Sequence, residues 1–376
     1  MKHPATFGII SYNLYCNFTN YGSALQSWAM QQAVNAVGKG RWQAKMVDYC
    51  PDILADKDPL NPMKNMWDKD PEARRLCELT LPAIRKNYEE FNRFYRTECA
   101  VTEGKYTARN FDDCVKNDGI DGFLCGSDTI FCVNEFGFDD GYYANYPSMQ
   151  GNSVAFAASF GDAKFTPAQY PELDKRLNNF RYIALREGGM VPYVTDKTTV
   201  PVTQVIDPTL LLDASAYEPI TAEPQEEGQY LLLYARRYNP EMEAYAEKIA
   251  AENGWKIVEI SLRAENASRH RMFYEAGVEQ FLSLVKHAAF MVTNSYHGMI
   301  FALHHRRPFC VFSREQCDTK IAELLNIIQL NDRFKTVNDG LLPPAIDYDA
   351  VHARIALERE RSLRVMEDAL NTLYQR

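Results

Sequence analysis

The run Phe290-Met291-Val292-Thr293-Asn294-Ser295-Tyr296-His297-Gly298-Met299-Ile300-Phe301 passes from a short apolar stretch into a polar turn and then into a second apolar segment. An apolar run of this length, ending abruptly at a glycine-bearing turn, reads as a buried strand (290–293) feeding a helix (298–304). The turn then lies at a strand's carboxyl end and a helix's amino end. Backbone N–H groups and the helix dipole favour a phosphate or carboxylate there. Gly298 permits close backbone approach, and His297 supplies a group that exchanges a proton near neutral pH. The competing reading makes His297 a structural residue that caps the turn.

The same unit repeats on both sides of this stretch. Downstream lies a strand at 308–312, and upstream come strands at 230–234 and 256–260 with helices at 240–253 and 277–287, Gly254 ending the first of these helices. The earlier part of the chain opens with a strand at 7–11, a polar loop at 12–22, and a helix at 23–37 carrying Leu25, Trp28, Ala29, Ala33 and Val37 at helical spacing. Strands follow at 45–49, 122–125, 154–158 and 183–185, the last three ending in polar turns, and 76–95 reads as one tyrosine-rich helix. Residues 51–71, rich in proline, aspartate and lysine, read as a surface excursion. The acidic, proline-containing stretch 217–228 reads as a linker. Residues 351–373 place Ile355, Leu363, Met366, Leu370 and Leu373 on one side of a helix. The expected organisation is therefore a first α/β domain over 1–216, the linker 217–228, a second α/β domain over 229–345, and a terminal helix over 346–376 packing back. Buried parallel strands that end in polar turns build a ligand crevice, so two doubly wound domains should face each other across a cleft.

Composition narrows the function. With 376 residues, 46% hydrophobic and 24% charged, the chain has ample material for two cores. A net charge of -9 argues against a nucleic-acid partner held by bulk electrostatics, although a few local arginines still hold an anionic small molecule. The nine cysteines are scattered and contain no CxxC pair, as in a reducing compartment. Neither a secretory leader nor an 18-residue apolar run is visible, so a cytoplasmic protein without a transmembrane segment is expected. The sequence has no HExxH or paired CxxC, which leaves no expected metal site, and no GxSxG elbow for a hydrolase.

The segment Thr293-Asn294-Ser295-Tyr296-His297-Gly298 resembles the Thr-Asn-Ser-Phe-His-Gly signature of the polysaccharide pyruvyl transferases. Further landmarks of that family occur in its order: Asn20-Tyr21-Gly22-Ser23-Ala24-Leu25-Gln26, Gly126-Ser127-Asp128, Ala157-Ala158-Ser159-Phe160-Gly161, Leu185-Arg186-Glu187 and Asp207-Pro208-Thr209-Leu210-Leu211. The resemblance spans roughly residues 7–334. It departs from the family where Thr129 and Phe131, on either side of the aliphatic Ile130, stand for Gln and Trp, and where Tyr296 stands for Phe. It implies two Rossmann-like domains of GT-B type. The implied activity is transfer of a pyruvate ketal from phosphoenolpyruvate, as co-substrate without a further cofactor, to a sugar of a polysaccharide or lipid-linked precursor. A lipid-linked acceptor would bring the protein to the inner membrane face.

Carried onto this chain, the resemblance makes His297 and Asp128 the catalytic candidates. Arg186, Ser295, Tyr296 and Gly298 become donor-binding candidates, with Asn20, Tyr21 and Gly22 on the acceptor side. Several landmark residues have a plainer alternative. Arg186 and Glu187 would form a salt bridge, Tyr21 a hydrophobic plug, Asp128 a helix cap, and Asp207 an ordering group in the interdomain turn. Arg236 and Arg237 follow a strand, and adjacent residues on an extended segment point opposite ways, so at most one of them should face a ligand. A nucleotide-sugar glycosyltransferase and a non-catalytic saccharide-binding protein are the competing functions.

Overall fold

The computed structural model describes residues 4–60, 71–314, 317–335 and 342–374, so residues 61–70 of the excursion read over 51–71 lie outside the described residues. Strands β1 Ala5–Ile10, β2 Trp42–Tyr49, β3 Val101–Tyr106, β4 Gly122–Cys125, β5 Ser153–Ala158, β6 Tyr182–Leu185 and β7 Val202–Gln204 form one sheet, in the order β3-β2-β1-β4-β5-β6-β7. Strands β8 Tyr230–Tyr234, β9 Lys256–Ile260, β10 Arg271–Phe273, β11 Phe290–Thr293, β12 Phe309–Phe312 and β13 Phe334–Lys335 form a second, ordered β10-β9-β8-β11-β12-β13. The pairings β1 with β4 and β8 with β11 are parallel, as are those with their neighbours. Each sheet therefore reverses its winding beside its first strand, which opens a crevice at the carboxyl ends of β1 and β4 and another at those of β8 and β11.

The helices are α1 Tyr21–Gly38, α2 Pro71–Glu78, α3 Leu81–Glu98, α4 Asp113–Asn117, α5 Val133–Phe136, α6 Tyr170–Leu177, α7 Met190–Thr195, α8 Pro240–Asn253, α9 Val278–His287, α10 Tyr296–His304, α11 Asp318–Ile328 and α12 Tyr348–Tyr374. Every residue of β4, β5, β8, β11 and β12 is buried, which explains why these strands read as unbroken apolar runs. The tyrosine-rich segment 76–95 is two helices where one was expected. Pro82 cannot continue α2, and the Thr80 hydroxyl leaves the helix to donate to the Leu262 carbonyl at 2.6 Å.

Helix α1 starts at Tyr21, two residues before the expected 23–37 span, because Asn20 caps it by accepting from the Gly22 N–H. It is buried nearly all round, since it lies between the two halves. Its first residue is the wedge. The Tyr21 ring stacks on Phe281 at 4.5 Å, meets Tyr234 edge-on, and its hydroxyl donates to the Ala276 carbonyl. The segment read as a surface linker is likewise anchored at its start. Residues Ala214–Ile220 form a 3-10 turn in which Tyr217 is fully buried against Trp28 of α1 and Phe301 and His304 of α10. His304 donates to the Thr209 carbonyl, and burial pushes its pKa down to about 3, so the imidazole is a neutral strut between the halves.

Helix α12 packs back across both halves. Arg359 donates to the carbonyls of Leu210 and Leu212, Ser362 accepts from the Ile206 N–H, Arg41 pairs with Glu367, and His352 donates to Leu303. Among the described residues no helix is long and apolar enough to cross a membrane.

The wedge separates two roles for Tyr21. Tyr21→Ala should lower unfolding free energy by about 3–5 kcal/mol, and Tyr21→Phe by only about 1 kcal/mol, because Asn87 also donates to the Ala276 carbonyl. Denaturant unfolding of the two variants measures this; a residue serving only an acceptor would leave both curves where the wild type lies.

Candidate functional site

A cavity of about 300 Å³ lies between the halves. Tyr12, Asn20, Asp128 and Glu135 come to it from the first half, and Arg236, Arg237, Arg314 and Lys320 from the second. A chain of net charge -9 thus gathers four cations around one space. Both arginines after β8 line it, contrary to the expectation that one would. The strand ends at Tyr234 and the chain bends at 236–237, so alternation no longer applies. Asn294 holds this bend, accepting from the Arg236 N–H at 2.7 Å and donating to the Arg237 carbonyl at 2.8 Å.

Asp128 is set by its backbone, whose φ of 68° lies in the left-handed region that Asp tolerates better than most side chains. Ser23 of α1 donates to one carboxylate oxygen at 2.8 Å and the Thr129 N–H to the other. Burial works against the charge, but Lys320, Arg186 and His297 outweigh it and hold the carboxyl below its usual range. Glu135 goes the other way. Burial raises its pKa although Thr129 donates a hydroxyl to it at 2.9 Å and Lys320 lies near.

Beneath the cavity is a buried ionic group that joins the halves. Asp207 is fully buried; one oxygen accepts from the Thr209 N–H and hydroxyl, while the other lies 3.3 Å from the Arg186 guanidinium and 3.5 Å from His297 Nε2. Burial would raise its pKa, and Arg186 with His297 instead drives it far below the ordinary carboxylate value. Asp207 therefore does more than order the interdomain turn: it pairs with an arginine of its own half and orients a histidine of the other.

The remaining candidates divide between site and scaffold. Arg186 donates to Ser127 Oγ at 2.7 Å and approaches the Tyr296 ring at 5.4 Å, as Lys320 does at 5.5 Å. Its side chain is only 2% exposed and lies on a smaller cavity with Tyr296 and Lys320, so it acts from beneath and is not presented as an open grip on the donor. His297 is at the seam, not projecting into open space: a Cβ added to Gly22 would fall 2.0 Å from its Nδ1. Gly22 is thus the contact that lets α1 meet α10, in the first turn of a helix and not on a sugar-binding loop. Tyr21 is the wedge described above, and of the acceptor-side trio Asn20 alone lines the 300 Å³ cavity. Ser295 caps α10 by accepting from the Gly298 N–H. Gly298 turns into its own sheet, where a Cβ would meet Thr293 Oγ1 at 2.8 Å.

Sequence reasoning passed over Arg314, Lys320 and Glu135. Arg314 stands two residues after an apolar strand, a position that does signal a crevice. Lys320 looks like an ordinary helix lysine, and Glu135 like a surface acid after a cysteine.

Two parallel sheets with the same winding, closing on a cation-lined cleft, define a two-domain α/β protein of the GT-B-like class. A putative UDP-N-acetylglucosamine 2-epimerase from Listeria monocytogenes has this fold, with a TM-score of 0.52, 11% identity, and coverage of 98% of this chain and 91% of that one. The S. aureus MnaA structure with UDP aligns at a TM-score of 0.48, 14% identity, and coverage of 97% and 91%. At 11% identity the first of these likenesses concerns the fold alone. The chain belongs to the polysaccharide pyruvyl transferase family, whose model matches residues 20–316. No curated protein gives a significant match.

The buried ionic group makes a pH prediction. A carboxyl whose folded pKa is depressed adds stability above its unfolded pKa of roughly 4, and this is lost as pH falls toward the folded value. Melting temperature should therefore drop on acidification below about pH 4, and Asp207→Asn should flatten that slope. The same variant should lose about 3–5 kcal/mol at neutral pH, because Arg186 would remain buried beside a neutral amide.

Proposed function

We propose that the protein transfers a pyruvate ketal from phosphoenolpyruvate to two hydroxyls of a saccharide. The observation that carries this reading is the 300 Å³ interdomain cavity, with four cations facing an ionised Asp128. Phosphoenolpyruvate brings two anionic groups, a phosphate and a carboxylate, which call for several fixed cations. A sugar calls for a carboxylate that accepts from hydroxyls, and Asp128 supplies it beside Asn20. Family membership supports the reaction class. His297, oriented by Asp207 and near enough to depress Asp128, stands behind that carboxylate and takes up the proton that a sugar hydroxyl gives to it. Arg186, though paired with Asp207, still helps keep Asp128 ionised, and Ser295 and Gly298 hold the turn that carries His297. No further cofactor enters this scheme, and the protein works in the cytoplasm, at the inner membrane face when its acceptor is lipid-linked.

A second reading rests on a separate observation. Beside the cation cavity, and sharing Phe18 and Arg236 with it, is a smaller space of about 60 Å³ at the ends of β8 and β9, walled by Tyr21, Tyr234 and Tyr274. Rings beside an arginine suit a nucleobase with its phosphate, as a nucleotide-sugar transferase needs.

Phosphate release from phosphoenolpyruvate, measured against free and lipid-linked saccharides, tests the first reading. Release that requires an acceptor supports it; tight binding of a uridine nucleotide without phosphoenolpyruvate turnover supports the second. On the first, Lys320→Ala and Arg314→Ala should each raise the KM for phosphoenolpyruvate at least tenfold. His297→Gln should lower kcat by about 100- to 10,000-fold in the folded protein, with some loss of melting temperature because Asp207 gives up one of its two charged partners.

A further inference from the structure

The proposed reaction has to protonate carbon, and the residues singled out from the sequence do not present an acid where that carbon would lie. Asp128 is held ionised by Lys320, Arg186 and His297. His297 is 7% exposed, closed in by Gly22 and Asp207, and absent from the lining of the 300 Å³ cavity. Glu135 does line it, on the same wall as Asp128 and opposite Arg314 and Lys320. Its carboxyl is held by one hydrogen bond, from the Thr129 hydroxyl, and the groups that act on it are Thr129, Lys320, Asp128, Arg314, Tyr12 and Cys132.

We infer that Glu135 is the acid that protonates the methylene carbon of phosphoenolpyruvate, with Asp128 the base for the sugar hydroxyl. This rests on the pyruvyl-transfer reading. Two carboxylates in one cavity whose surroundings drive their pKa values apart are suited to opposite tasks. Burial pushes Glu135 up, and neighbouring cations pull Asp128 down.

The step balances. The π pair of the enol phosphate takes the proton from the Glu135 carboxyl, forming the third C–H bond of a methyl group and leaving an oxocarbenium centre at the adjacent carbon. The first sugar hydroxyl adds to that centre and loses its proton to Asp128, from which solvent returns a proton to Glu135. The second hydroxyl then displaces the phosphate, which departs with that hydroxyl's proton. Arg314 and Lys320 face the developing phosphate charge throughout.

The test uses the full-length protein, phosphoenolpyruvate, and an acceptor that supports wild-type turnover. Glu135→Gln keeps the size and accepts from Thr129, but has no acidic proton. Its kcat should fall about 100- to 10,000-fold while phosphoenolpyruvate binding and melting temperature hold within error. Normal kcat in a folded Glu135→Gln protein overturns the assignment and leaves pyruvyl transfer standing. A wild type that neither binds nor turns over phosphoenolpyruvate overturns both. Thr129→Val supplies a second readout, because the acid works only while protonated and turnover declines as pH rises through its pKa. Removing the hydroxyl that favours the carboxylate should move that alkaline limb to higher pH. An unmoved limb also counts against Glu135.

Discussion

One carboxylate, Asp207, decides how the two halves meet. It is fully buried, yet it faces an arginine from its own half and a histidine from the other. A single buried charge would be expelled or neutralised, so the three groups are stable only as a set. The set forms only when α10 has docked against α1. The smaller contacts follow from that docking: the missing side chain at Gly22, the stacked ring of Tyr21, and the neutral His304 reaching the Thr209 carbonyl.

The docking also explains why an acidic protein offers a cationic cleft. The turns after β8 and β12 both line the cleft and bring Arg236, Arg237 and Arg314, while α11 brings Lys320. These positive groups keep Asp128 ionised, whereas at Glu135 the pull of Lys320 and Arg314 does not offset burial. Acid and base character thus arise from position and not from residue type.

Much of the fold was legible in the sequence because buried parallel strands are unbroken apolar runs; the expected spans 122–125, 230–234, 256–260 and 290–293 coincide with observed strands. The strands that escaped were β3, β7, β10 and β13, which lie toward or at sheet edges and carry polar residues such as Thr102, Glu103 and Lys105 or run to only two or three residues. The site was legible only in part. Motif residues marked the correct turns, but several proved to be scaffold: Tyr21, Gly22 and Gly298 secure helix contacts, and Arg186 is locked below the floor. Lys320 and Glu135 gave no signal, because their burial arises from contacts between segments far apart in the chain, which local pattern does not record.

Helix α12 has a consequence for how the protein is made. Leu373 lies against Phe7 and Gly122 of the first sheet, and Arg359 and Ser362 close the ends of the chain leading from it. The helix is synthesised after the second sheet. During translation the first half therefore waits with an apolar face uncovered, although its strands are all available to pair. Its hydrophobic core stays open on one side until α12 leaves the ribosome, and in that interval it is exposed to aggregation or to chaperone capture.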